Sequence, residues 1–257
     1  MNPWEKGIWC LTTGLTAAVL VKLWSSGLLK LYKLFFAYLA VDFLSSIGGM
    51  AIPFHSSTYA YFYVAAQTVK IAIAAFMLVE IYSLALEQHP ALAQFGRSVI
   101  RYILLAAAAI PFIGVFLDQS SSNPHPYLRA FFTFERTMDS TMAIFLIFIS
   151  VFMAWFPVRL RGNVIVYIGG FIVWSLSRSA YIDVINHWIN DKNVKLATNI
   201  AQMCIALGCL VFWLVGFKRQ GEARTAVVGH LWNRAEADRL TGQLETINDG
   251  LAKLRKR

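Results

Sequence analysis

The chain has 257 residues, of which 58% are apolar, 14% aromatic and 14% charged, with a formal charge of +9. A soluble domain carries about 25% charged residues, so the composition excludes an ordinary soluble enzyme and reads as an all-α integral membrane protein. The length leaves no room for a separate soluble domain of usual size beside several spans, and the basic excess is read through loop placement rather than as nucleic-acid binding.

The first apolar run, about 8–24, is followed by Lys22, Lys30 and Lys33, whereas Lys6 before it is offset by Glu5. A cleaved signal peptide has the opposite polarity, so a retained first span is expected. A second span covers about 28–50, and the turn after it, 51–58, contains Pro53 and no formal charge. The third, 59–86, is long enough to tilt or protrude. A fourth, 97–117, begins with Arg97 and Arg101 after a connection holding Pro90, and Pro111 is expected to kink it. The Ser-, Asn- and Pro-rich stretch 118–126 reads as a turn-forming loop.

The fifth span, 127–155, leads into the basic connection PVRLRGN with Arg159 and Arg161; the sixth covers 164–183 and the seventh 196–217, closed by Lys218 and Arg219. Connections after the odd helices are basic, and those after the even ones are uncharged or balanced. The positive-inside rule then predicts a seven-transmembrane-helix bundle in a cell (inner or plasma) membrane, N-terminus outside and C-terminus cytoplasmic.

The tail, 220–257, reads as helical. Leu240, Leu244, Ile247, Leu251 and Leu254 follow the 4-3-4-3 spacing of a short coiled-coil seam, which would offer itself to a cytoplasmic partner or a second copy. Val227, Val228, Leu231 and Trp232 fit an interfacial helix on the membrane surface.

The segment FERTMDSTM, residues 134–142, places Glu135, Arg136 and Asp139 inside the fifth span. A charge at membrane depth costs roughly 2.5 kcal/mol or more unless it is paired or lines a polar cavity. Measured at about 1.5 Å per residue, Asp42, Lys70, Glu135, Arg136, Asp139 and Arg178 all fall roughly 9–16 Å below the outer boundary, with Asn199 and Gln202 in or just above that layer. Helical spacing adds Tyr63 and Gln67 to the Lys70 face, and Trp174 and Tyr181 to the Arg178 face. Three acids balance three bases. Two readings follow: an ion-pair network that fixes helix register, or an outer-half pocket for a small polar or zwitterionic ligand. Glu80, nearer the inner end of the third span, is expected to be solvated or in contact with the tail.

Other chemistries lack their residues. Cys10, Cys204 and Cys209 have no metal-type spacing and no disulfide is expected. His55, His125 and His187 fall one per outer connection, near Asp118 and Asp183, without a His pair on one helix, so no metal site is expected. Lys195 lies at or before the outer end of the seventh span, which excludes a retinal Schiff base there, and no span holds a histidine for haem. With no G-x-S-x-G and no H-E-x-x-H, an enzyme is not expected, nor is any cofactor. The layout resembles that of seven-helix receptors in general, with no residue motif tying it to one family. The expected function is a receptor-like or sensor membrane protein whose charged pocket signals through the inner face and tail. A seven-helix solute transporter or channel is the alternative, weakly supported by the similar runs VAAQTVKIAIAA and NIAQMCIALGC; a membrane scaffold subunit is a third.

Overall fold

The computed structural model describes residues 3–53, 56–87, 89–117, 126–155, 159–187, 192–223, 225–227 and 234–255. Over these the chain forms α1 (Pro3–Ser25), α2 (Lys33–Ala51), α3 (Ser57–Ala85), α4 (Pro90–Leu117), α5 (Pro126–Trp155), α6 (Gly162–His187), α7 (Lys192–Gly216) and α8 (Arg234–Arg255), with β1 (Arg159–Arg161) and β2 (Thr225–Val227) as one short antiparallel pair. Six helices, α1, α2, α3, α5, α6 and α7, contain stretches long and apolar enough to cross a membrane. The side chains of α4 are described only in its first half, together with residue 109.

Helices α1 to α7 pack in sequence order into a closed ring, since α7 returns to α1, and α3 also crosses inward to touch α5 and α6. At 29 residues and about 1.5 Å each, α3 spans about 43 Å, more than the roughly 30 Å hydrocarbon core.

Local chemistry sets the ends. Gly27, at φ 71°, reverses the chain after α1 into a 3-10 turn, Leu28–Lys30, so α2 starts later than its apolar run suggests. The Ser56 side chain accepts the Tyr59 N–H at 3.1 Å and caps α3. Lys22 donates to the carbonyl of Leu214 in the last turn of α7, one of the acceptors a helix end leaves open. Helix α4 begins at Pro90, well before residue 97. A proline is tolerated in the first turn, and Asn248 of α8 accepts the Ala91 N–H at 3.0 Å, capping the helix from the tail. Hydroxyls at Thr12, Thr13, Thr16, Thr137, Thr141 and Ser150 bond back to the carbonyl four residues earlier, which satisfies each of these side chains within its own helix.

The end of the ring nearest the tail is filled by aromatic rings. Phe35, Tyr167, Phe171, Trp213 and Phe217 are buried; Phe35 lies 4.9 Å from both Tyr167 and Trp213 between ring centroids. Gly170 makes room for the Trp213 indole, which a Cβ there would strike.

The tail differs from the sequence expectation in two places. Thr225–Val227 is a strand, with Ala226 opposite Leu160 of β1, so Val227 is not part of an interfacial helix; Val228, Leu231 and Trp232 lie outside the described residues. In α8, Leu240 and Leu244 are buried and α8 packs on α4, while Ile247 is 49% exposed. The seam covers the chain's own bundle, and these two leucines are not open to a partner helix.

Candidate functional site

Ion pairs join the helices at one level of the bundle. On α5, Glu135 and Asp139 stand one turn apart, and Arg178 of α6 faces both: it bonds Glu135, and its Nε lies 2.8 Å from Asp139 Oδ2 as a charge pair without hydrogen-bond alignment. Gln67 of α3 donates to Glu135 Oε1 at 2.8 Å, and the Tyr63 hydroxyl donates to Oε2 at 3.5 Å. Both acids are buried. A planar guanidinium suits this arrangement, because its fixed fork can serve two carboxylates at once.

A second pair links α2 to α3, where Lys70 Nζ donates to Asp42 Oδ1 at 3.0 Å, both side chains largely shielded. Trp174 Nε1 donates to the Tyr38 hydroxyl at 3.0 Å, joining α6 to α2. Ser140 and Ser179 meet at 2.6 Å between α5 and α6. The cation that reaches Asp139 from another helix is Arg178; Arg136, which spacing places beside Asp139 on α5, is half-buried and is not among the residues lining the cavity described next.

These pairs border a cavity of about 610 Å³ between α3, α5, α6 and α7. Of the residues singled out from sequence, Tyr63, Gln67, Lys70, Glu135, Arg178, Tyr181, Asn199 and Gln202 line it. Asp42, Arg136, Asp139 and Trp174 do not; Asp42 and Asp139 stand behind the lining and hold Lys70 and Arg178 in place. Tyr59, Ala60, Phe132 and Ile182 complete the wall. Each lies three or four residues from a predicted one (Tyr59 from Tyr63, Phe132 from Glu135, Ile182 from Arg178), so extending the helical stripes by one turn finds them. A smaller cavity of about 150 Å³ lies on the other side of α3 against α1 and α2, sharing Tyr59, Tyr63, Gln67 and Lys70.

Lys70, Glu135 and Arg178 already have charged partners within the protein. By contrast, the amides of Asn199 and Gln202, three apart on α7, hydrogen-bond to none of the described residues. The wall thus combines pre-paired charges, phenol rings and two unengaged amides, a donor and acceptor set that suits a small polar molecule.

A different polar cluster closes the tail end. Glu222, just past α7, accepts from Tyr32 at 2.7 Å, from Asn163 at 2.7 Å and from Arg161 at 3.4 Å. Arg161 also forks onto Glu87 at 2.7 and 2.9 Å, and Asn163 both donates to the Lys218 carbonyl and accepts its N–H. Burial, reinforced by the hydrogen bond to Glu222, pushes the Tyr32 hydroxyl well above the usual tyrosine range. Glu80 sits within the bundle, accepting from Tyr167 at 3.4 Å, rather than in solvent or on the tail.

The three cysteines are free, with Cys10 and Cys204 exposed and Cys209 buried. His55, His125 and Asp118 lie outside the described residues, as do the side chains of Asp183 and His187. Among the described residues no three His, Cys, Asp or Glu side chains come together as a metal site. No protein-family model, curated protein or solved structure matches the chain.

Proposed function

We propose that the protein is a receptor-like sensor in a cell membrane that binds a small polar or zwitterionic ligand in the 610 Å³ cavity, with α1 to α7 as seven spans, the N-terminus outside and the tail cytoplasmic. The observation that carries this reading is the cavity itself: the charges are paired with one another, yet they still border a chamber whose wall holds two amides that bond to none of the described residues. A purely structural network would gain from filling that space, since interiors normally pack without voids.

Binding is favoured over transport by the packing beyond the chamber. Between it and the tail end, Trp213, Phe35, Tyr167 and Phe217 are buried against one another, and the cavity nearer that end, about 300 Å³ between α3, α4 and α5, is lined mainly by apolar side chains such as Phe95, Phe145 and Phe152 and has no charged group in its wall. The same aromatic column runs from Trp174, one turn from Arg178, through Trp213 and Phe35 to Tyr32, whose hydroxyl holds Glu222 at the start of the tail. A ligand that shifts α6 against α3 would act on the tail through these contacts. In this reading the signal passes from the tail to a cytoplasmic partner.

A panel of amino acids, amines and short carboxylic acids, screened by thermal stabilisation of the detergent-solubilised protein, tests the reading. A stabilising solute that loses its effect in Gln202→Ala, and that is not accumulated by proteoliposomes, supports it. Accumulation of the solute would favour the transporter alternative, and a panel without any stabilising member would count against a binding role.

A further inference from the structure

We infer that the junction of α1, α2 and α7 at the tail end is a binding site for the headgroup of an anionic phospholipid. Four cations converge there: Lys30 on the 3-10 turn, Lys33 at the first residue of α2, and Lys218 and Arg219 just past α7. All four are exposed. Their segments are held side by side, because the Tyr32 ring packs against Phe217 at 5.6 Å and α1 packs along α7. The left-handed Gly27 turn presents Lys30 on this side instead of letting α1 run on.

What marks the patch as unfilled is the placement of nearby acids. Glu222 is occupied by Tyr32, Asn163 and Arg161, and Glu87 by Arg161. Among the described residues no carboxylate comes within ion-pair distance of Lys30, Lys33, Lys218 or Arg219. Lys33 feels the Glu80 carboxylate without an ion-pair contact, so the chain pairs its buried charges and leaves the heads of these cations open to an anion from outside.

Their height selects a lipid. Helix α1 ends at Ser25, α2 starts at Lys33 and α7 ends at Gly216, so the cations stand within a few residues of three span ends, at headgroup level. Directly beside them the surface is apolar: Trp24 is 73% exposed, Val21 66% and Val215 63%. Phosphate above and acyl chain below match that division, and an exposed tryptophan at the boundary is the usual interfacial anchor. The inference depends on the helices spanning a membrane, and not on what occupies the 610 Å³ cavity.

The test uses the full chain in nanodiscs of equal parts phosphatidylcholine and phosphatidylserine, released into detergent and weighed with its retained lipids by native mass spectrometry. Each interfacial cation contributes enough to predict about a tenfold or greater preference for phosphatidylserine over the four. The preference should fall to parity in Lys30→Gln/Lys33→Gln/Lys218→Gln/Arg219→Gln and persist in Arg239→Gln/Lys253→Gln, which removes exposed charge from α8. If the quadruple variant does not fold, the pairs Lys30→Gln/Lys33→Gln and Lys218→Gln/Arg219→Gln should each lose part of it. Equal retention of the two lipids by the unmodified protein, or equal loss in the α8 variant, overturns the assignment.

Discussion

Arg178 of α6 stands 2.8 Å from Asp139 of α5 and also holds Glu135, one turn away on the same helix. One cation thus stabilises two buried carboxylates. Removing it in Arg178→Met strands both, and a stranded buried charge costs about 3–5 kcal/mol. Thermal unfolding in detergent should show this loss. Asp139→Asn should recover part of it in the double variant, whereas strictly additive effects would contradict direct pairing.

Lys70 separates a supporting role from a binding one. Lys70→Met leaves Asp42 without its partner and should destabilise the fold, while Lys70→Met/Asp42→Asn should restore most of the lost stability. If Lys70 serves a ligand as well as Asp42, solute-induced stabilisation stays low in the double variant even though its own melting temperature recovers. Recovery of both would make Lys70 a purely structural residue.

At the tail end, Glu222 joins Tyr32, just before α2, to Arg161 and Asn163 at the β1–α6 junction, segments far apart in the sequence. Glu222→Gln removes the charge that Arg161 faces, and Asn163→Ala leaves buried groups around Lys218 without partners. The latter change should cost about 1–3 kcal/mol. Hydrogen exchange at Thr225–Val227 should quicken in both variants; unchanged exchange would mean that the β1–β2 pair holds without the cluster.

The α8 seam makes an opposite prediction from a dimerising coil. Leu244, 2% exposed, belongs to the main apolar core, so Leu244→Ala should lower stability by about 2–5 kcal/mol. The mass measured by light scattering should not change. A shift to a smaller species would instead indicate that the leucine sits between two copies.

Much of the architecture was legible because membrane helices announce themselves by apolar length, and intramembrane charges stand out against that background. Helical spacing alone put Tyr63, Gln67 and Lys70 on one face, and all three line the cavity. Which cation faces which acid was not legible. Spacing favours Arg136 for Asp139 within one helix, but the rotation of α5 against α6 brings Arg178 there, and rotation about a helix axis is a tertiary outcome. The early start of α4 was hidden for a similar reason, since its cap is Asn248, 157 residues further on. The strand at Thr225–Val227 depends on a partner in another connection, so three apolar or small residues could not reveal it locally. The leucine seam was visible as a stripe, yet a stripe does not say whether it covers a second chain or its own.

The most direct test of the central claim is water access to Gln202. In a background of Cys10→Ser/Cys204→Ser, which removes the two exposed native thiols, Gln202→Cys should react with a charged, membrane-impermeant thiol reagent added on the N-terminal side. Val215→Cys, on an exposed apolar surface near the tail end, should remain silent. Reaction at Gln202→Cys that slows when a stabilising solute is present is the result expected of a ligand chamber. If Gln202→Cys is as unreactive as Val215→Cys, the space is closed to water and the paired charges hold the bundle together without forming a binding site.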